Sequence, residues 1–220
     1  MMFADRVDAG RRLAEALAIY RQRHPVVLAL PRGGVPVAAE VAQALGAPLD
    51  LLLVRKIGLP WQRELAIGAV VDGADPLVVR NEAIIAHAQV SEAAFQRACR
   101  EEMAEIERRK TRYLGGRARA PLAGRVVIVV DDGIATGATM RAALRAIRQR
   151  GPSRLVLAVP VAAADSLSEL RPEVDDIVCL DTPEPFRAIG CFYRDFSQVS
   201  DEEVIAALER FPTGVPSDGG

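Results

Sequence analysis

Two adjacent carboxylates, Asp131 and Asp132, stand between an apolar run and a run of small and hydroxyl residues, Gly133 to Thr139. Small residues let a backbone approach phosphate oxygens. Thr136 and Thr139 offer hydroxyl donors, and an acid pair beside them suits ribose hydroxyls or a magnesium ion. No lysine occurs in this stretch, so the Gly-Lys-Ser/Thr ending of a nucleoside triphosphate loop is missing. A sugar phosphate fits it better than a nucleoside triphosphate.

A strand and a helix must hold that loop. Val126 to Val130 are β-branched residues in succession, the pattern of a strand buried on both faces rather than one that alternates with water. A good helical sequence runs from Met140 to Gln149. In open parallel α/β sheets ligands collect at the carboxyl ends of strands, where a helix N-terminus presents free N–H groups to an anion.

An apolar strand, two acids and small residues ending Thr136-Gly137-Ala138-Thr139 resemble the phosphoribosyl-diphosphate signature of type I phosphoribosyltransferases. The resemblance implies transfer of a 5-phosphoribosyl group from phosphoribosyl diphosphate to a nucleobase-like nitrogen acceptor, with release of pyrophosphate. Asp131 and Asp132 would hold the ribose hydroxyls and place Mg2+, and Ala135, Thr136, Gly137, Ala138 and Thr139 would anchor the 5-phosphate. One position departs from the hypoxanthine and guanine enzymes, which carry an aspartate where this chain has Ala135. Adenine and uracil enzymes also have alanine there, so the acceptor and the general acid or base stay open.

Other segments join this picture. Pro31-Arg32-Gly33-Gly34 lies between an apolar run, Val26 to Leu30, and a helical run through Ala44. Its glycine pair permits unusual torsions, and Arg32 supplies a fixed positive charge, although a plain strand-to-helix turn would look similar. In the family the corresponding loop holds pyrophosphate and often carries a non-proline cis peptide, here expected next to Arg32. Leu49 to Val54 reads as a second buried strand, followed by Arg55 and Lys56. That basic pair resembles the one orotate-type members direct at pyrophosphate, or else is simply solvated. Trp61 and Arg63 would fall in a mobile loop closing over substrate. After a strand from Asp176 to Leu180, the residues from Asp181 to Arg187 loosely resemble a 6-oxopurine enzyme loop. Asp181 is then a metal or base contact and Arg187 a pyrophosphate contact, with a surface turn equally open. Phe192, Tyr193 and Phe196 could cover a base, though large apolar side chains more often pack inward.

Length and composition bound the rest. The 220 residues, 50% apolar and 26% charged, suffice for one α/β domain with a sizeable core. A net charge of −1 argues against nucleic acid or an anionic membrane as the main partner. No apolar run approaches the ~20 residues that cross a bilayer, and the first residues lack a signal peptide's apolar centre, so a cytoplasmic protein is expected. Cys99, Cys179 and Cys191 are widely spaced and the only histidines are His24 and His87, which argues against a zinc site or disulfide framework. No N-terminal cysteine nucleophile supports the glutamine-dependent branch of the family.

The expected architecture is a doubly wound, mainly parallel α/β sheet flanked by helices, one domain over residues 1–211. A small helical or hood insertion would span about 60–120, and a flexible tail 212–220. Further elements expected are a helix from Arg6 to Gln22, strands Leu65 to Val71 and Pro76 to Val79 about a turn at Asp72 to Asp75, and a long helix from Ser91 to Tyr113. A strand from Arg154 to Val159 and helices Ala163 to Leu170 and Asp201 to Arg210 complete the pattern. The basic stretch from Arg108 to Arg119 reads as a solvated helix end rather than an RNA surface. A homodimer fits the resemblance. The alternative to an enzyme is a regulator that binds phosphoribosyl diphosphate or a nucleotide without turnover.

Overall fold

In chain order the elements are α1 (Arg6–Ala16), β1 (Val26–Ala29), α2 (Gly34–Leu45), β2 (Leu49–Leu51), β3 (Val54–Leu59), β4 (Gln62–Val71), β5 (Leu77–Arg80), α3 (Glu82–His87) and α4 (Glu92–Leu114). The chain continues through β6 (Val126–Val130), α5 (Ala138–Arg148), β7 (Arg154–Val161), α6 (Ala164–Leu170), β8 (Asp176–Asp181) and α7 (Asp201–Glu209). This computed structural model describes residues 1–59, 61–73 and 76–211, the side chains of Arg63 and Glu64 excepted.

Because strand side chains alternate between faces, a strand apolar at every position must be covered on both. Val27, Ala29, Ile128, Val130, Val156 and Ala158 pack in one cluster with Leu13 of α1, Val41 of α2 and Val204 of α7. Their neighbours Val26, Leu28, Val127, Val129, Leu155 and Leu157 pack in another with Met140, Leu144 and Ile147 of α5 and Leu170 of α6. The strands form one parallel sheet in the order β2-β1-β6-β7-β8. The fold is therefore α/β, a parallel sheet with helices on both faces. Loops 31–34 and 131–137 leave the carboxyl ends of the adjacent strands β1 and β6.

Between β2 and β6 the chain builds a hood. The strands β3, β4 and β5 form an antiparallel sheet, with α3 and the 23-residue helix α4 following it. Ser91 caps α4 by accepting from the Ala94 N–H at 3.2 Å, and Gly115 ends it in a left-handed conformation. Phe95, Cys99 and Ile106 of α4 and Ile57 of β3 belong to the same apolar cluster as β1, so sheet and hood share a core.

A buried polar knot ties the hood down. Arg119 donates from Nε to Asp50 Oδ2 at 2.8 Å, from Nη1 to Asp72 Oδ2, and from Nη2 to the Leu51 carbonyl at 2.6 Å. Both carboxylates are 1% exposed, and each also accepts a backbone N–H, Asp50 from Leu51 and Asp72 from Leu53. Arg117 donates to the carbonyls of Leu49, Leu208 and Phe211. The reading of Arg117 and Arg119 as a solvated basic end is therefore corrected: they lie beyond α4, where the chain passes between two sheets.

The expected strand from Leu49 to Val54 is also two elements. The core strand ends at Leu51. Leu52 N still reaches the Ala29 carbonyl at 2.9 Å, but Leu53 N turns to Asp72 Oδ1. The chain changes sheets within an unbroken apolar run, which periodicity cannot register because both sides of the switch are buried. Likewise the first helix stops at Ala16, and Ala18–Arg23 tighten into a 3-10 turn that brings the Tyr20 hydroxyl to Asp176 at 2.5 Å. The hood holds a three-stranded sheet beside its helices and starts earlier than residue 60. Pro60, residues 74 and 75 of the expected turn and the tail 212–220 lie outside the described residues, as does the side chain of Arg63.

Candidate active site

Strand β6 delivers the acid pair to the sheet's carboxyl edge. Asp131 Oδ1 accepts the Asp132 N–H at 2.8 Å, and Asp132 Oδ2 accepts from Arg6 Nε at 2.8 Å. Burial pushes the Asp131 carboxyl well above the usual range, and the neighbouring Asp132 charge adds to it. Burial also raises Asp132, against the opposing pull of Arg6. The Tyr193 hydroxyl donates to the Asp132 carbonyl at 2.6 Å, and burial raises that phenol's pKa.

The loop that follows is tied to the sheet at its start. Ile134 N donates to the Val161 carbonyl, Ala163 N to the Ile134 carbonyl, and the Ser166 hydroxyl to the Ala135 carbonyl at 2.6 Å. Gly137 then takes a φ of +70° and α5 begins without a side-chain cap, leaving first-turn N–H groups free for an anion. Asp131, Gly133 to Thr139 and Met140 line an open cavity of about 170 Å3 at this point.

The 31–34 loop closes against the same acids. A Cβ on Gly33 would overlap Asp132 Oδ2, and one on Gly34 would stand 2.9 Å from Asp131 Cα. Only glycine fits at either place. The Pro31–Arg32 peptide is cis, at the place the resemblance indicated. Arg32 Nη1 lies 3.8 Å from Asp201 Oδ1 at the start of α7.

Arg55 and Lys56 sit within β3, not after a core strand. They line a cleft of about 690 Å3 between the β3–β4 hairpin and α4, together with Trp61, Arg97, Glu101, Glu102 and, from the phosphate loop, Thr139. Arg55 Nε is held by Glu102 Oε2 at 2.8 Å. A smaller recess joins Pro31, Arg55, Arg109 and Thr139, so Arg55 of the basic pair faces the loops at the sheet edge.

Two expected residues stand apart. Asp181 ends β8 and pairs with the Met1 amino group, while Arg187 is exposed. Among the described residues no three His, Cys, Asp or Glu side chains form a metal cage, so Asp181 does not join Asp131 and Asp132 in one. The pair still suits magnesium, which takes one or two protein carboxylates and completes its shell from substrate phosphates and water. Tyr193 packs between Phe3 and Phe196 at ring distances of 5.3 and 5.0 Å, a core position rather than an open base platform. Sequence reasoning missed Arg6, Arg97, Glu102 and Arg109. Nothing in the spacing of Arg6 marks it, whereas the last three share a long helix whose charges look solvated until its partner strand is known.

These features coincide with known proteins. A family model, Phosphoribosyl transferase domain, matches residues 4–191. A Mycobacterium tuberculosis protein, provisionally named a phosphoribosyl transferase, is 48% identical over 209 residues, which is 95% of this chain. The chain spans about half, 47%, of that relative's length. The crystal structure of TT1426 from Thermus thermophilus is 43% identical with a TM-score of 0.85, covering 96% of this chain and all of that one. A Neisseria gonorrhoeae protein, 15% identical with a TM-score of 0.51 over 96% of this chain and 94% of its own, shares the fold alone. No helix among the described residues is long and apolar enough to cross a membrane. By family match and by identity over nearly its whole length, the chain belongs to the phosphoribosyl transferase domain family.

Proposed function

We propose that the protein is a phosphoribosyltransferase that moves the 5-phosphoribosyl group from phosphoribosyl diphosphate to a nucleobase-like nitrogen acceptor and releases pyrophosphate. One observation carries the reading: the glycine pair of the 31–34 loop is packed against the Asp131–Asp132 pair at the mouth of an uncapped helix N-terminus. In this reading that contact supports diphosphate, ribose and 5-phosphate subsites lying side by side.

In this reading the N–H groups and hydroxyls of residues 135–139 bind the 5-phosphate, far from the bond that breaks. Anchoring a remote group fixes the reacting carbon, so binding energy lowers the barrier. The carboxylates face the ribose and offset positive charge as its C1 becomes oxocarbenium-like. Arg32, Arg55 and Lys56 take up charge on the departing diphosphate. A magnesium ion at the acid pair would supply further charge neutralisation for that diphosphate. The hood excludes water from the cleft. Ala135 carries no proton-transfer group, so the acceptor must lose its proton to another base or to solvent. Asp181, at the carboxyl end of the edge strand β8, and Arg187 beyond it remain candidates for a metal or acceptor contact and a pyrophosphate contact. A cytoplasmic homodimer is the setting proposed.

The test is pyrophosphate release from phosphoribosyl diphosphate and magnesium across uracil, orotate, xanthine, hypoxanthine, guanine and adenine, with Asp131→Asn as control. Release with one base, lost in the control, is expected and names the acceptor. Calorimetric binding in the same samples covers the other outcome. Binding without release from any base would replace turnover with sensing, and no binding would end the phosphoribosyl reading.

A further inference from the structure

The first residue of α7 gathers three segments that lie far apart in the chain. Asp201 Oδ1 accepts from the Tyr113 hydroxyl at 2.5 Å, and Asp201 Oδ2 pairs with Arg112 Nε at 3.0 Å, both partners coming from the last turn of α4. Arg112 also reaches Glu202 Oε1 from Nη2 at 3.2 Å. Tyr113 belongs to one apolar cluster with Val35 of α2 and Val204 and Leu208 of α7, so the three helices share packing at this point. Arg32 Nη1 lies 3.8 Å from Asp201 Oδ1, and among the described residues no other acid pairs with Arg32. That separation is within ion-pair reach but too long for a hydrogen bond. Asp201 spends one oxygen on a hydroxyl and the other on a guanidinium, so what it offers Arg32 is charge alone. The Tyr113 hydrogen bond, and after it the Arg112 and Arg32 charges, hold the Asp201 carboxyl below the usual carboxylate range against a smaller opposing cost of desolvation.

The geometry points to Asp201 as a positioning residue for Arg32, an assignment that rests on the phosphoribosyltransferase reading. Its charge aims the guanidinium while the N–H donors stay free for diphosphate oxygens. An arginine on a loop samples many rotamers, and a fixed anion on one side narrows that range before substrate arrives. Tyr113 and Arg112 fix the anion from α4, the helix whose Arg109 shares a recess with Pro31 and Arg55. One carboxylate thus sets the 31–34 loop in register with the hood. A cation aimed at a departing diphosphate acts as charge develops on it, so misplacing it costs turnover rather than substrate affinity.

The experiment measures kcat and the KM for phosphoribosyl diphosphate, by pyrophosphate release with the base that the acceptor screen identifies, for Arg32→Ala, Asp201→Asn, Tyr113→Phe, Glu202→Gln and the doubles of Arg32→Ala with Asp201→Asn and with Tyr113→Phe. Arg32→Ala is expected to lose about 100-fold in kcat and Asp201→Asn about tenfold, each with KM within about twofold of wild type. Tyr113→Phe keeps the Asp201 charge but loosens its aim, so kcat should fall about threefold. It also preserves the test should the asparagine variant fail to fold. Each double should be no slower than Arg32→Ala alone, because Asp201 and Tyr113 act only through Arg32. Glu202→Gln removes an acid from the same turn of α7 and should leave kcat unchanged. Losses that multiply in the doubles, an Asp201→Asn variant as fast as wild type or faster, or a raised KM with kcat intact would overturn the assignment. Wild-type protein that releases no pyrophosphate with any base would show, before any variant is read, that the functional reading itself fails and the assignment with it.

Discussion

The phosphate loop and the hood meet at Thr139 but are held by opposite kinds of force. The loop hangs from β6, whose five residues are all buried, and its neighbour at 31–34 touches it through glycine alone. A side chain at either glycine would collide with the acids. The hood shares apolar packing with the sheet, yet at its root the chain hangs on Arg119 strung between Asp50 and Asp72. Van der Waals contact fixes distances to tenths of an ångström, whereas a buried ion network fixes which segments lie together. The residues proposed to bind the reacting sugar thus sit on the half of the cleft held by close packing. Those that close over it sit on the half whose anchor is electrostatic.

Breaking the comparison at its polar end gives the largest expected effect. Arg119→Met leaves two buried carboxylates without a cation and should cost about 3–5 kcal/mol in urea unfolding. Arg119→Lys should recover only part of that, since one ammonium cannot reach both acids and the Leu51 carbonyl. On the steric side, Gly33→Ala should lower pyrophosphate release about 100-fold by shifting Asp132. Gly33 has an ordinary helical φ of −59°, so backbone strain cannot explain such a loss. Unchanged kinetics in this variant would mean the loop has slack, and the contrast drawn above would fail.

Asp131→Asn sharpens the same point from the other direction. It removes a charge that burial and Asp132 disfavour while keeping the acceptor for the Asp132 N–H, so thermal unfolding should show stabilisation on the order of 1 kcal/mol as activity falls. The smallest effect belongs to a charge cluster within α4. Arg108 and Arg109 hold Glu105 at a pKa of about 2. A depressed carboxylate contributes stability above its unfolded value and loses it as pH falls through the folded one. Glu105→Gln should therefore cost about 0.5 kcal/mol at neutral pH, and nothing below about pH 2, in acid unfolding curves. The cost is small because the three side chains lie within reach of solvent on one helix.

What could be read from the sequence follows the same division. Val126 to Thr139 announced strand, acids, loop and helix because each feature is local, and local chemistry is written in consecutive residues. The cis bond at Pro31–Arg32 came from the family resemblance and is present. The start of the hood was illegible because the switch falls within Leu51 to Val54, which is apolar on both sides of it. Arg6, Arg119 and Tyr193 were illegible for a different reason. Each acquires its role from a partner far along the chain, Asp132, Asp50 with Asp72, and the Asp132 carbonyl, and an arginine or tyrosine seen alone reads as a surface or core residue.

The contact of Gly33 with Asp132 also bears on how the protein comes into being. Its two sides are synthesised roughly a hundred residues apart, and their strands can pair only after the whole hood between them has been made, a costly, long-range closure. A nascent chain that has emerged through α4 has its 31–34 loop but neither the acids nor the helix that completes the pocket. Capture of the proposed ligand would thus wait until translation passes α5, and the segment at 193–197 that braces Asp132 arrives later still. Occupancy of this pocket would therefore report that synthesis has passed the 193–197 segment.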